Sequence, residues 1–236
     1  MPIIPFVSPK GGTGKSTSAL LLATFLAKLY DVTIIDADPN NPIKDWAAGG
    51  NAPPRLTVIS DVEEETIIGR IEEAAANTPF VIVDLEGTAS KIVLYAISQA
   101  DLVIVPMQGS HEDAKAASRA VRVIRQSEKM TRVPKPFSVL LTRTNPMIRT
   151  RGLAHIQKGL VDAGIPVLRT ELNERDAFKA VFSFQQTLDG LNSQAVPNLD
   201  KAKLNVGEFA QEIIERIMAE QGGRKDDATD VIAGAA

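Results

Sequence analysis

The segment from Ser8 to Thr17 has the residues and spacing of a phosphate-binding loop. Its glycines let the backbone curl so that N–H groups converge on an anion, and the helical pattern that begins near Ser16 adds the positive end of its dipole. In such a loop Lys15 contacts the β- and γ-phosphates of a nucleotide, and the Ser16 hydroxyl binds the bridging Mg²⁺. The residues expected to hold the nucleotide within one chain are Gly11, Gly12, Thr13, Gly14, Lys15, Ser16 and Thr17.

The loop departs from the common pattern at its first residues. Pro9 stands where a glycine is usual, and Lys10 follows it, although a lysine there is not needed to hold a phosphate in cis. The run KGGTGKST resembles the deviant Walker A motif of the ParA/MinD family of ATPases. The resemblance implies that the nucleotide is ATP and that Lys15 is catalytic. It also implies a homodimer in which Lys10 reaches the nucleotide of the other subunit.

Composition limits the classes of protein that remain. With 236 residues, 44% of them hydrophobic, the chain can form one large α/β domain, which we expect over residues 1–220. The lack of cysteine excludes disulfides and iron–sulfur clusters, and with them the cluster-bearing nitrogenase iron protein, a relative of this family. There is no N-terminal signal and no apolar run of about 18 residues, so we expect a cytoplasmic protein.

Short β-branched runs alternate with amphipathic segments along the chain. Continuous apolar strands separated by helices predict a mostly parallel, twisted sheet covered on both faces, the three-layer α/β/α fold of P-loop NTPases. Residues 221–236 lack periodicity and are expected to be a disordered tail. The predicted strands are 3–7, 32–36, 80–84, 102–106, 137–141 and 165–168. The predicted helices are 16–29, 62–76, 89–98, 111–130, 151–163, 174–185 and 205–220.

Two predicted strands end in acidic residues, where ligands bind in an open parallel sheet. The second strand runs into Asp36-Ala37-Asp38-Pro39-Asn40, which resembles the family signature D-x-D-P-Q. By that resemblance Asp36 is catalytic, lies near Lys15 and is a ligand of Mg²⁺ together with Ser16. Asp38 is also catalytic by the same resemblance, and it positions the attacking water. The alternative for Asp38 is a simple turn before Pro39.

The third predicted strand ends at Asp84, which has the form of a Walker B aspartate that holds Mg²⁺. In the loop that follows, Gly87 is a candidate N–H donor to the γ-phosphate. Glu86 replaces the proline that is usual in partition ATPases, and we interpret it as a solvated loop residue.

The nucleotide base is expected near the end of the fifth predicted strand. By resemblance to relatives, Asn145 is a candidate adenine contact, although Asn-Pro is also an ordinary turn dipeptide. The segment from Glu174 to Ala180 resembles the late helix of small ParA-like proteins. These include the partition-like virulence protein of T-DNA transfer, which has a similar E-R-D-A-F run.

A basic stretch suggests a nucleic-acid surface. Between Lys115 and Arg151 there are ten Lys/Arg against one acidic residue, Glu128. Helical geometry places several of these cations on one stripe, a pattern that fits binding of the duplex phosphate backbone without reading the bases. The alternative is a solvated helix face. The residues of the predicted DNA-binding stripe are Lys115, Arg119, Arg122 and Lys129.

The C-terminal helical segment argues against a membrane anchor. MinD-like relatives carry a basic amphipathic helix there, whereas residues 206–220 contain four Glu and one Arg and would be repelled by anionic lipid. The resemblance therefore favours an ATP-dependent dimerising switch that associates with the nucleoid, binds DNA non-specifically and segregates DNA with a ParB-like or other DNA-bound adaptor. The alternatives are a MinD-like positioning ATPase and a small-molecule enzyme of the dethiobiotin synthetase type.

Overall fold

A parallel sheet forms the centre of the computed structural model, which describes residues 1–87 and 90–233, with only the backbone described for 223–233. The strands in chain order are β1 (Ile3–Phe6), β2 (Val32–Ala37), β3 (Leu56–Ile59), β4 (Phe80–Leu85), β5 (Val103–Met107), β6 (Phe137–Thr144) and β7 (Leu172–Asn173). Across the sheet they lie in the order β3-β2-β4-β1-β5-β6-β7, and every pairing is parallel.

Helices cover both faces of this sheet. They are α1 (Lys15–Leu26), α2 (Pro42–Ala47), α3 (Ile67–Asn77), α4 (Lys91–Gln99), α5 (His111–Thr131), α6 (Arg151–Asp162), α7 (Asp176–Ser183) and α8 (Leu199–Ala233). Alternate strand residues point to opposite faces, so Ile82 packs in one hydrophobic cluster with α1, α2, α7 and α8. Its neighbours Val81 and Val83 pack in a second cluster with α3, α4, α5 and α6. The three-layer α/β/α prediction is therefore confirmed.

The edges of the sheet differ from the prediction. The short strands β3 and β7 were not predicted, because four- and two-residue elements give too few positions for a pattern. The strand predicted at 165–168 is wrong. It forms a single bridge between Val139 and Val167, and Pro166 has no N–H for a strand ladder.

The helices also differ at their limits. The six-residue helix α2 was not predicted, and α8 begins at Leu199, before the predicted start at 205. The same helix continues past Gln221 to Ala233, through the segment expected to be a disordered tail. Alanine, lysine and arginine in this segment are good helix formers. The predicted start of a helix at residue 89 and the end of the tail, 234–236, lie outside the described residues.

The position of β1 determines where a site can form. This strand lies between β4 and β5, so the loop that follows Phe6 emerges beside the carboxyl ends of both. The strands β2 and β4 pair with Asp36 opposite Asp84, which brings two predicted site residues to the same edge. None of the described helices has the length and apolar composition needed to cross a membrane.

The segment after α2 packs closely on the segment after α7. A Cβ atom at Gly49 would overlap the Cβ of Gln185, whereas one at Gly69, on the exposed surface of α3, would meet nothing within 4 Å. We expect Gly49→Ala to lower the free energy of unfolding by about 1–3 kcal/mol, because neighbouring backbone must move. Gly69→Ala should raise it by about 0.5–1 kcal/mol through helix propensity alone. Urea unfolding of both variants tests this, and equal effects would contradict the close approach at Gly49.

Candidate active site

The loop between β1 and α1 has the backbone conformation of an anion cradle. Gly12 and Gly14 have φ of 75° and 86°, values that L side chains rarely adopt. Gly14 is the N-cap of α1 and supplies no capping side chain, and the first turn of that helix contains no acidic residue. The amino end of α1 therefore offers its N–H groups and its dipole to a bound phosphate.

Two residues from other strands hold this loop in place. The Thr142 hydroxyl, near the end of β6, donates to the Thr13 carbonyl at 2.7 Å. The Gln108 amide, just after β5, donates to the Gly12 carbonyl at 2.7 Å. Sequence reasoning missed both residues, because the contacts span 129 and 96 positions and no local motif marks them.

Lys15 joins two carboxylates at the centre of the site. Its Nζ lies 3.3 Å from Asp38 Oδ2 and 3.3 Å from Asp84 Oδ1. The side chain of Lys15 is only 11% exposed, so these interactions are weakly screened by water. The structure thus brings together Lys15, Asp38 and Asp84, which were predicted from three separate segments.

Asp84 is buried and has one free oxygen. Burial raises the pKa of its carboxyl to about 6, and the charge of Lys15 and a hydrogen bond from Ser16 only partly oppose this effect. Its Oδ2 has no hydrogen-bond partner among the described residues, which is costly for a buried carboxylate. An unpartnered carboxylate oxygen beside the Ser16 hydroxyl is the kind of oxygen ligand that Mg²⁺ prefers, so these two residues fit the metal of a nucleotide site.

Asp36 lies opposite Asp84 in the register of β2 and β4, and both of its oxygens accept backbone N–H groups. Its Oδ2 accepts the N–H groups of Ile43 and Lys44 at 2.8 and 2.9 Å, and its Oδ1 accepts the N–H of Asp38 at 3.3 Å. Burial raises the pKa of Asp36, although these backbone hydrogen bonds favour its charged form. The hydrogen bonds of Asp36 in the described chain thus go to the segment that follows β2. Its roles in catalysis and in binding Mg²⁺ stay predictions.

Asp38 is partly open to solvent and lies in the turn after β2. Its Oδ1 accepts both the backbone N–H and the side-chain amide of Asn40, each at 2.9 Å. Burial works against its charge, but the hydrogen bonds from Asn40 and the charge of Lys15 prevail and lower its pKa. Asp38 therefore stays ionised at neutral pH, as a residue that orients water must be.

Lys10 forms an ion pair within its own chain. Its Nζ lies 2.8 Å from Oδ1 of Asp113, whose side chain is buried in the first turn of α5. The second oxygen of Asp113 accepts a hydrogen bond from the Ser110 hydroxyl, the N-cap of that helix. Sequence reasoning missed this pair, because it joins residues that are 103 positions apart.

A cavity of about 110 Å³ adjoins the start of α1. It is lined by Gly14, Thr17 and Ser18 from the loop and α1, and by residues of β6, β7 and α7. Arg175 lines this cavity, and its Nε is buried without a partner in the described chain. The E-R-D-A-F run at residues 174–178, which the sequence analysis singled out, supplies part of the lining of this cavity. The additional lining residues are Thr142, Arg143, Leu172, Asn173, Glu174, Phe178, Lys179 and Phe182.

Asn145 does not line that cavity. It lies in the neighbouring groove of about 820 Å³, and its side-chain oxygen accepts the N–H groups of Met147 and Ile148. The structure thus places Asn145 in the turn that its Asn-Pro sequence also allowed.

The loop after β4 lies beside the phosphate loop. A Cβ at Gly87 would come within 3.9 Å of Pro9, so the backbone of Gly87 is close to the cradle. Glu86 is exposed and lines an open cavity together with Asp36 and Asp38. Thr88, the next residue of this loop, lies outside the described residues.

The predicted basic stripe lies on the exposed face of α5. Its four residues are all solvent-exposed, and Ala117, Ala120, Val121 and Ile124 on the opposite face are buried, as the helical pattern predicted. Lys115 pairs with Glu112 at 3.2 Å. The other three cations form no ion pair within 4 Å in the described part of the chain, so their charge is available to a polyanion: Arg119, Arg122 and Lys129.

Known proteins share this sequence and architecture. Residues 4–188 match a family model described as the CobQ/CobB/MinD/ParA nucleotide binding domain. Protein ParA of Rhizobium radiobacter is 37% identical over 218 residues, covering 92% of this chain and 98% of that relative. Protein VirC1 of Rhizobium rhizogenes is 28% identical over 189 residues, covering 77% of this chain and 80% of that relative.

Solved structures share the fold. Apo McdA from Cyanothece superposes with a TM-score of 0.70 at 18% identity, covering 88% of this chain and 98% of that chain. The ATP complex of a variant of the same protein gives a TM-score of 0.68 at 17% identity, covering 88% of this chain and 95% of that chain. The resemblance to the ParA/MinD family and to the virulence protein, proposed from the motifs, is confirmed by the family match and the sequence relatives.

The raised pKa of Asp84 predicts a pH dependence of stability in the absence of nucleotide. The folded-state pKa of about 6 exceeds the ordinary value of 3.8, so folding favours the protonated form, and stability falls as pH rises from about 4 to about 6. Asp84→Asn removes this titration. The unfolding free energy of the variant relative to the parent should therefore rise by up to about 3 kcal/mol between pH 4 and pH 7. Urea unfolding at several pH values measures it, and a constant difference would contradict the burial of an ionisable Asp84.

Proposed function

Because this chain belongs to the CobQ/CobB/MinD/ParA family of nucleotide-binding domains, we propose that it is a ParA-like ATPase that dimerises with ATP and then binds duplex DNA without sequence preference. The observation that carries the proposal is Lys15, held between Asp38 and Asp84 behind a loop shaped for phosphate. This arrangement supplies a cation for the phosphates, a carboxylate for water and a carboxylate for the metal at one edge of the sheet.

Hydrolysis uses residues whose positions are described above. The N–H groups of the loop and the ammonium of Lys15 bind the β- and γ-phosphates and neutralise the charge that develops on the transferred group. Asp38, ionised at neutral pH, accepts a hydrogen bond from the attacking water and orients it. Mg²⁺, held by Ser16 and Asp84, would supply further charge neutralisation when bound.

The role proposed for Lys10 requires a change of partner. In the single chain this lysine is paired with the buried carboxylate of Asp113, and in an ATP dimer it would contact the phosphates of the other subunit. The side chain of Lys10 is 44% exposed, so its ammonium can move from Asp113 toward solvent, and the Ser110 hydroxyl still donates to the buried carboxylate that it leaves. Polyphosphate offers more negative charge than one carboxylate, which favours the exchange when ATP is present.

The adenosine part of the nucleotide is assigned to the cavity lined by β6, β7 and α7. This cavity adjoins the start of α1, where the α-phosphate side of a nucleotide would lie. Its aromatic residues Phe178 and Phe182 suit a base, and the buried Nε of Arg175 is a free hydrogen-bond donor.

DNA binding is assigned to α5. Lys129 follows Lys115 by fourteen positions, or about 21 Å of helix, which is long enough to follow several phosphates of a duplex groove. Dimerisation doubles this surface, so the ATP state would bind DNA and associate with the nucleoid while the monomer would not. The task that we assign to this state is DNA segregation or transfer with a ParB-like or other DNA-bound adaptor that stimulates hydrolysis, and the similarity to the ParA and VirC1 proteins supports it.

Substitution of the two lysines of the loop should have different effects on ATP binding, dimerisation and kcat. Lys15→Ala should weaken Mg-ATP binding about tenfold to hundredfold, because a charged hydrogen-bond donor to the phosphates is lost. Lys10→Gln should bind ATP within about threefold of the parent, yet lose dimerisation and lower kcat on the order of 10³-fold, as for a charge supplied in trans. Fluorescent-nucleotide titration and light scattering provide the measurements.

The control for the lysine pair is Lys158→Gln, since Lys158 pairs with Asp162 on the surface of α6 and should have no effect. The Lys10→Gln change leaves the buried Asp113 without its cation, so thermal unfolding is used to check that this variant is folded. Equal loss of ATP affinity in the Lys10 and Lys15 variants would refute the trans role of Lys10.

The experiment that tests DNA binding reverses charge on the stripe. Arg119→Glu/Arg122→Glu should abolish binding to two unrelated duplexes with ATP, while ATP-dependent dimerisation remains. In the parent, each phosphate contact should contribute about −0.9 to the slope of log K against log salt, and the slope should steepen about twofold from ADP to ATP. Arg55→Glu/Arg70→Glu is the control with the same change of net charge. If both double variants bind as the parent does, α5 is a solvated face.

A further inference from the structure

We propose that Asp36 is a positioning residue, which fixes Asp38 by capping helix α2, and that it is not a ligand of the metal ion. The inference rests on the proposed ATP hydrolysis, and it assigns Asp36 a role different from the one that the sequence motif implied. The observation behind it is that Asp36 accepts the first two backbone N–H groups of α2.

The first turn of α2 depends on Asp36 for its hydrogen bonds. The N-cap residue Asn41 gives this helix no side-chain hydrogen bond, and Pro42, its first residue, has no N–H. The next two donors, the N–H groups of Ile43 and Lys44, both reach Oδ2 of Asp36 at 2.8 and 2.9 Å. A carboxylate from the end of β2 thus does what a capping side chain normally does.

This cap closes a loop around Asp38. Asp36 is the last but one residue of β2, and its carboxylate binds the N–H of Asp38 on one side and the start of α2 on the other. The intervening turn is tight, because the N–H of Asn41 donates to the Asp38 carbonyl at 2.8 Å and Asn41 has a φ of 48°. Both ends of the segment that carries Asp38 are therefore fixed by one buried side chain.

The two buried aspartates at this edge differ in their free oxygens. Asp36 and Asp84 lie opposite each other in the register of β2 and β4. Both oxygens of Asp36 accept backbone N–H groups, whereas Oδ2 of Asp84 has no partner in the described chain. A metal bound by Asp36 would have to displace hydrogen bonds that hold α2, while one bound by Asp84 would satisfy an orphaned atom.

The far end of α2 is anchored as well. The indole Nε1 of Trp46, which is 2% exposed, donates to the Gln186 carbonyl at 3.1 Å. The side chain of Gln185 donates to the Asp45 carbonyl at 2.5 Å. These contacts hold α2 against the segment after α7, so release of its capped end would leave the helix attached by one end only.

The test compares Asp36→Ala, Asp36→Asn and the control Asp45→Asn, which makes the same acid-to-amide change on the exposed surface of α2. We expect Asp36→Ala to lower kcat about tenfold to hundredfold, since a displacement of Asp38 by about 1 Å has that effect. The Mg²⁺ concentration for half-maximal rate and the KM for ATP should stay within about twofold of the parent. Asp36→Asn should recover part of kcat, because an amide oxygen can still accept the N–H groups of Ile43 and Lys44, whereas the amide NH2 cannot accept the N–H of Asp38.

A second readout does not depend on activity. Trp46 is the only tryptophan of the chain, so acrylamide quenching of its fluorescence reports the packing of α2. Quenching without nucleotide should rise at least about twofold in Asp36→Ala and stay near the parent value in Asp36→Asn and Asp45→Asn. If Asp36→Ala fails to fold, Asp36→Asn still distinguishes a helix cap from a metal ligand. Loss of a metal-binding charge would raise the Mg²⁺ requirement of that variant about tenfold or more, whereas loss of charge on a cap would not.

Two results would overturn the inference. One is a raised Mg²⁺ requirement with unchanged Trp46 quenching, which would make Asp36 a metal ligand. The other is parent-like kcat and quenching in Asp36→Ala. A parent protein without ATPase activity would instead refute the proposed function, and the quenching series would then still support or contradict the capping of α2 by Asp36.

Discussion

The ammonium group of Lys15 is the charge on which the arrangement of the site depends. Parallel pairing brings the ends of β2 and β4 together, and with them carboxylates that repel one another in a region shielded from water. Lys15 lies between Asp38 and Asp84 and compensates that repulsion. In the proposed function the same ammonium group binds the phosphates of the nucleotide, so one lysine would both hold the carboxylates together and recognise the ligand.

The sequence predicts the central part of the molecule well, because its signals are local. The phosphate loop is a continuous motif between a strand and a helix, and Asp38 and Asp84 follow apolar runs that read as buried strands. Once the sheet is taken to be parallel, the ends of those strands must lie on one edge. The charged stripe of α5 is equally local, since four residues of one helix determine which side faces solvent.

The parts that were missed depend on contacts across the fold. Thr142 and Gln108 hold the phosphate loop, and Asp113 holds Lys10, yet each is an ordinary residue in its own segment. Helix α2 is too short to be stable alone, and tertiary contacts, including the cap from Asp36, hold it in place. Asp36 itself was recognised by its motif but not by its contacts, because a sequence pattern identifies an acidic residue and does not say which groups it faces.

The strand order has a consequence for how the protein folds during synthesis. The first strand, β1, pairs only with β4 and β5, so it has no neighbour in the sheet until the ribosome has made residues 80–107. The pairs β2 with β3 and β2 with β4 close much shorter loops and can form earlier. The strand that precedes the phosphate loop is thus the first to be synthesised, yet it gains its second neighbour only when β5 has been made. Its loop gains the hydrogen bond from Thr142 later still, because that residue belongs to β6.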